Sequence, residues 1–316
     1  MALVKPIRKT VTEHKESVGG EVLTTPQVRA RAVLTAGPGI FWISLFLILP
    51  SFLLLGYSFL TKGEINTAEL PITLENYGRF AGQDAFGDFD PAYWIIIGRS
   101  VVVSLVTTLF CVVLAYPLAF FIAAHGPRAR NQLLLLVIAP SWINLVIRTY
   151  AFMIIFNPSS PITNLARFLG IVGENEGLYP SSFAVYVGMV NIFLPFLVLP
   201  LYTAVERLDW SLLEAAQDLY ASRAQAFWNV IVPQTLPGLV AGVILTAIPA
   251  LGMFVVPDLL GGAKTALIGN AIQQQFSTSR DWPFGAAISF IIMAFTLLVL
   301  YLYSKRVGEE GMRDLL

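Results

Sequence analysis

Few residues in this chain could make or break bonds, and their spacing argues against it. There are two histidines, His14 and His125. Neither is followed by H-E-x-x-H or by a second ligand at metal-binding spacing. The single cysteine, Cys111, sits in an apolar run, so neither disulfide nor metal-cluster chemistry is on offer. The stretch Gly261-Gly262-Ala263-Lys264-Thr265 ends like a phosphate loop. G-x-x-x-x-G-K-[ST] needs glycine where Ala263 stands, so no nucleotide is expected there. No G-x-S-x-G elbow occurs. Acidic residues are missing from the centres of the apolar stretches, so a proton relay is hard to build. The chain is not expected to be an enzyme.

The informative polar segment is Glu206 to Gln234, ERLDWSLLEAAQDLYASRAQAFWNVIVPQ. Ser211 to Glu214 and Ser222 to Gln225 both read as capping boxes, in which a hydroxyl and a Glu or Gln satisfy orphan N–H groups reciprocally. They predict one helix over about Leu212–Leu219. A second, over about Arg223–Val232, is expected to stop at Pro233. Leu212, Ala215, Ala216 and Leu219 would form one apolar face, and Phe227, Val230 and Ile231 the other. Such a pair could dock a peripheral partner as a helix in a groove. An ordinary capped loop is the alternative.

What surrounds that segment is lipid-soluble. Of 316 residues, 56% are hydrophobic and 13% charged, and mean hydropathy is +0.71. Soluble domains carry about twice that charge, so a soluble, disordered or disulfide-rich chain is excluded. Zero net charge gives no hint of nucleic acid. A helix needs about 20 apolar residues to cross the hydrocarbon. Six stretches qualify: Gly37–Leu60, Ser100–Ala124, Asn131 to about Phe156, Ser181–Val205, Pro237–Pro257 and Phe284–Ser304. None alternates with period two, which disfavours a β-barrel. The N-terminus does not read as a signal peptide.

Lysines and arginines set the expected orientation. Residues 1–36, 125–130, 206–236 and 305–316 hold Lys5, Arg8, Lys9, Lys15, Arg29, Arg31, Arg128, Arg130, Arg207, Arg223, Lys305, Arg306 and Arg313. Loop 62–93 instead holds Glu64, Glu69, Glu75, Asp84, Asp88 and Asp90 against Lys62 and Arg79. Both termini are therefore expected in the cytoplasm. The expected organisation is a tail (1–36), a six-span body (37–304) containing the segment 206–236, and a second tail (305–316). Arg148 would lie about 25 Å along a straight third span from Asn131, near the outer interface. It would snorkel there or line a vestibule. Pro50, Pro117, Pro140, Pro195, Pro200 and Pro249 fall inside spans and are expected to kink them.

Glu214-Ala215-Ala216, three residues, Tyr220, nine residues and Val230-Ile231-Val232-Pro233 resemble the E-A-A-x3-G-x9-I-x-L-P signature of ABC-importer permeases. The spacing matches throughout. The departure is Tyr220, where that family usually has glycine to permit positive φ. Similarity extends over roughly residues 37–305. Pro140-Ser141-Trp142, Arg148-Thr149-Tyr150-Ala151, Leu194-Pro195-Phe196 with Leu199-Pro200-Leu201-Tyr202, and Leu236-Pro237-Gly238 with Ala241-Gly242 all resemble polyamine-importer permeases. Val256-Pro257-Asp258-Leu259-Leu260-Gly261-Gly262, then Ile268-Gly269 and Arg280-Asp281-Trp282-Pro283, is similar to one of the two permease subunits of spermidine/putrescine importers.

The resemblance implies an all-α integral membrane protein with the six-helix type I ABC-importer permease (MetI-like) fold, in the bacterial inner membrane. It implies half of a translocation pathway for a polyamine or similar small organic cation. Importers of ferric ion, thiamine and opines look similar, and a standalone secondary transporter is the alternative from another class. The implied partners are a second, different permease in a heterodimer, two ATPase subunits that carry the ATP and Mg, and an extracytoplasmic substrate-binding protein. No cofactor, metal or nucleic acid is implied on this chain. Glu214, Ala215, Ala216, Asp218, Tyr220, Ala221, Ser222 and Arg223 would contact the ATPase. Trp142, Tyr150, Asn191, Tyr202, Met253, Asp258, Asp281 and Trp282 are the candidates for the substrate pathway. Met253 stands where relatives often carry glutamate, which removes one carboxylate that a polycation could use.

Overall fold

The computed structural model describes residues 35–63, 68–83, 89–173, 176–262 and 266–313, of which 306–313 by backbone alone, as are the short paired strands Ser17–Val18 and Glu21–Val22. The expected loop acids Glu64, Asp84 and Asp88, the tail residues Lys5, Arg8, Lys9, His14, Lys15, Arg29 and Arg31, and Ala263, Lys264 and Thr265 lie outside the described residues. So do the side chains of Arg306 and Arg313. The chain divides into two units, Met1–Gly56 and Tyr57–Leu316.

Five helices are long and apolar enough to cross a membrane: Thr35–Ser58, Ala92–Ala123, Ser182–Glu206, Arg223–Leu251 and Trp282–Lys305. The sixth expected span is a pair, Pro127–Trp142 and Leu145–Ile155, bent by 91° at the break. These are the first, second, fourth, fifth, sixth and third spans in chain order.

The bend corrects the straight third span and the position it gave Arg148. Pro140 lies in a 3₁₀ turn, Ala139–Trp142, and Asn144 starts a new helix. The Asn144 Oδ1 accepts from the Val146 and Ile147 amides at 2.9 and 3.4 Å, serving donors that every helix start leaves orphaned. Elsewhere the helices run on through Pro117, Pro195, Pro200, Pro237 and Pro249. Neighbouring helices keep those segments whole, as membrane bundles allow.

The fourth span is the hub of the second unit, packed against the second and the fifth. Met189, Leu197, Val198, Leu201 and Val205 on it are fully buried. Lipid offers no hydrophobic drive for helix pairing, so close approach must supply the attraction. Gly238 and Gly242, four residues apart on the fifth span, supply the approach. A Cβ on Gly238 would stand 2.7 Å from the Pro200 carbonyl oxygen, and one on Gly242 3.0 Å from that of Leu197. Polar ties add to this. Ser104 donates to the Ala247 carbonyl at 2.7 Å, joining second and fifth spans.

At the end away from segment 206–236, the short helix Glu75–Ala81 and the helix Ile268–Ser277 lie against the sixth span. Phe80, Ile268, Phe284 and Ile288 form a small apolar core there. The Ser100 hydroxyl accepts from the Ile268 amide at 2.7 Å and donates to the Ile96 carbonyl at 2.8 Å.

Candidate functional site

The segment after the fourth span folds into the expected helix pair, with two changes. The first helix is Trp210–Asp218, and its cap is Asp209, not Ser211. Asp209 Oδ1 accepts from the Ser211 amide at 3.0 Å and the Ser211 hydroxyl at 2.7 Å. A carboxylate at a helix start is favoured over a hydroxyl by the positive end of the dipole. These two donors hold the Asp209 carboxyl below its ordinary value. Glu214 is thereby free of a capping role and is exposed.

The second cap forms as expected. Ser222 Oγ accepts from the Gln225 amide and Gln225 Oε1 from the Ser222 amide, at 3.3 and 2.8 Å. The helix that follows does not stop at Pro233. It runs from Arg223 to Leu251 through a π-helical stretch, Phe227–Ile231. There the Val232 amide bonds the Phe227 carbonyl five residues back. That shifts the ladder just before the proline, which then occupies a first-turn position of the continuing α-helix, where its missing N–H costs little.

Between the helices, the Leu219 amide bonds the Ala215 carbonyl, that of Tyr220 bonds Gln217, and that of Ala221 bonds Ala216, at 3.2, 2.9 and 3.0 Å. Tyr220 closes this turn at φ 62°, so tyrosine adopts the left-handed conformation its family's glycine would. The cost is about 1 kcal/mol or more for a residue with a Cβ. Its ring is 97% exposed, and Leu219 beside it is 82% exposed. Trp210, Leu212, Ala215 and Trp228 are exposed as well, while Ala216, Phe227, Val230 and Ile231 are half-buried. So Leu212, Ala215 and Leu219, expected to share one face with Ala216, present their apolar surface outward.

The segment is anchored to the spans. The Asp209 amide donates to Gln234 Oε1 at 3.1 Å. Tyr116 and Thr235 share a hydrogen bond of 3.1 Å, and the Tyr116 and Phe227 rings meet edge-on at 5.8 Å. Arg130 pairs with Glu206, and Tyr202 lies against both, buried at this end of the fourth span.

The eight pathway candidates are dispersed. Trp142 is exposed at the bend, with Tyr150 exposed on the helix beyond it. Arg148 Nη1 turns back across the bend to the Pro140 carbonyl at 2.9 Å. Asn191 helps line an apolar cavity of about 480 Å³ with Phe110, Phe152, Phe183 and Tyr186, and its Oδ1 is buried with no donor. Met253 is half-buried at the break after Leu251 and packs on the main core. Asp258 is exposed in the first turn of the helix Val255–Gly261. Asp281 is only 3% exposed and is committed. It pairs with Arg79 at 3.1 Å and accepts from the Phe284 amide at 3.2 Å. Trp282 beside it is exposed.

A cluster that the motifs did not mark gathers around that pair. The Arg79 guanidinium carbon stands 4.1 Å from the Phe284 ring centroid, a cation–π contact. With Glu75, Gln83, Asp90 and Tyr93 they line a cavity of about 590 Å³. The available signal was Arg79 itself, a cation in an acidic loop.

A family model described as "binding-protein-dependent transport system inner membrane component" matches residues 115–309. That match takes in the helix pair, the bend and four spans. The chain belongs to this family. It is a permease subunit of an ABC importer and a multi-pass inner-membrane protein. Its relatives include the spermidine/putrescine transport system permease PotB of Escherichia coli K12, 41% identical over 272 residues, covering 85% of this chain and 96% of that protein. PotB of Haemophilus influenzae is 39% identical over the same share of this chain and 92% of its own. Among solved structures, a chain of a bacterial ABC transporter that imports the acidic polysaccharide alginate superposes with a TM-score of 0.63 at 18% identity, covering 90% of this chain and 98% of that one. This agreement supports the six-span permease fold, and the family sets aside the standalone secondary transporter.

Proposed function

We propose that this permease carries polyamines, spermidine or putrescine, inward across the membrane, and that residues 210–223 transmit the work of a separate ATPase. The observation that carries the substrate reading is 41% identity to spermidine/putrescine permeases across 85% of the chain. Ferric ion, thiamine and opines are the substrates it argues against. The chemistry is compatible with a polycation that brings its own ammonium donors. Asn191 stands on the wall of an aromatic-lined cavity, and Trp142 and Tyr150 offer exposed rings. Met253 supplies no carboxylate, so the partner permease would provide more of the acidic lining.

The coupling reading rests on the helix pair. Its turn projects Leu219 and Tyr220 outward, and the exposed Glu214, Ala215, Asp218 and Arg223 flank them. A rigid, doubly capped lever that is continuous with the fifth span can pass a push from an ATPase into that span. The assembly would be completed by a second, different permease, two ATPase subunits holding ATP and Mg, and an extracytoplasmic binding protein. Both termini would lie in the cytoplasm, with segment 206–236.

Uptake of labelled spermidine and putrescine by cells lacking other polyamine importers tests the substrate. Accumulation that depends on this chain is expected, and uptake of labelled thiamine or iron instead would overturn it. Glu214→Arg tests the coupling: membrane insertion should persist while ATP-driven uptake is lost. Retained uptake would refute the docking role.

A further inference from the structure

At the end of the bundle that carries the helix pair, the fourth and fifth spans line a pocket of about 320 Å³. Pro200 and Ala204 of the fourth span and Pro237 and Gly238 of the fifth are among its lining residues. The Gly238–Pro200 approach makes this the tightest-held part of the crossing, so the pocket has a fixed floor. Two groups on its lining are donors. Arg207, the first residue beyond the fourth span, is exposed and has no carboxylate partner among the described residues. Gln234 has its Oε1 occupied by the Asp209 amide, and its Nε2 is buried with no acceptor. A buried donor left without an acceptor is costly. Among the described residues, no acid lines the pocket. The nearby carboxylates are engaged elsewhere, Glu206 with Arg130 and Asp209 with Ser211.

The requirement is therefore an anionic acceptor attached to something apolar, at the level where a span leaves the hydrocarbon. We propose that this pocket is a phosphate site that holds the headgroup of an anionic phospholipid. The phosphate would accept from Arg207, and from Gln234 Nε2 once the amide turns to uncover that buried atom, and the glycerol and first methylenes would lie on the proline and alanine residues. Cationic clefts between helices at the interface suit such headgroups, and the arginine fork suits phosphate. Because Gln234 also holds the Asp209 amide, a bound headgroup would brace the root of the helix pair. The proposal rests on the membrane position of the spans and not on the substrate.

Native mass spectrometry of the whole importer, released from detergent, tests it. Phosphatidylglycerol and phosphatidylcholine are added at equal concentration and the retained adducts counted. Wild type should hold one more phosphatidylglycerol than Arg207→Gln, with about five- to tenfold weaker retention in the variant. Gln234→Met should weaken it as well. Thr203→Val should not, because that hydroxyl donates to the Leu199 carbonyl in its own helix. Melting curves of the variants confirm that the complex is intact. Equal retention by Arg207→Gln, or equal retention of phosphatidylcholine, overturns the site. Displacement by millimolar inorganic phosphate or glycerol phosphate assigns it to a free anion and overturns the lipid. Binding seen only after the ATPase is stripped away shows that an acidic residue of the ATPase fills the pocket, and also refutes the proposal.

Discussion

Arg148 donates from Nη1 to the carbonyl of Pro140 at 2.9 Å, across a 91° break in the third span. A broken helix in lipid exposes carbonyls with no water to receive them. Here an arginine eight residues on closes one of them, while Asn144 caps the start of the next helix. The result is a right-angled element with its polar ends partly answered from within.

The first prediction follows. Arg148→Met keeps an unbranched, flexible stem, shorter than arginine's, and removes the donor. The Pro140 carbonyl is then left unpaired, at a cost of about 1–3 kcal/mol. A lower melting temperature in detergent is expected. Arg148→Lys should recover part of the loss, since an ammonium reaches the same oxygen without the fork. An unchanged melting curve for Arg148→Met would mean that the contact does not hold the bend.

Two glycines in long spans should behave in opposite ways. At Gly238 a new Cβ meets the Ala204 Cβ at 2.5 Å and the Pro200 oxygen at 2.7 Å. The fourth and fifth spans must part, so Gly238→Ala is expected to destabilise by about 1–3 kcal/mol. At Gly98, in the second span, a Cβ meets nothing within 4 Å. Gly98→Ala should be neutral or stabilising by up to about 1 kcal/mol. Parallel thermal melts of the two purified variants decide it.

Much of this was legible in order, and little of it in depth. The spans are apolar runs of fixed minimum length, so their existence follows from the composition of each window. The helix pair follows from Ser222 and Gln225, three residues apart, and from the spacing Glu214 to Pro233. The bend does not follow, although Pro140 and Asn144 both mark it. Inside an unbroken apolar run they read as tolerated interruptions of one helix. The cap is Asp209 and not Ser211 because either residue can cap and a carboxylate is favoured at the helix start, while Gln234 of the next span also holds the Asp209 amide. Pro233 misled for a similar reason: the π-helical stretch that lets the helix pass leaves no simple trace in sequence. Arg79 and Asp281 are 202 residues apart in sequence, and no local pattern brings them together.

Tyr220 separates turn stability from coupling. Tyrosine holds a positive φ of 62° with its ring in the open. Its ring packs on almost nothing among the described residues, and glycine would keep the turn's backbone hydrogen bonds, so Tyr220→Gly should raise the melting temperature of the isolated permease, by an amount corresponding to about 1 kcal/mol. If the exposed ring meets the ATPase, the same substitution removes a large contact area at the tip of the lever. The variant should then bind the ATPase more weakly while being the more stable protein. Hydrogen exchange across 215–222 together with ATPase affinity would read both effects on one sample. Gains in both stability and affinity would show that tyrosine contributes nothing to docking, and that Glu214 and its helix make the contact without it.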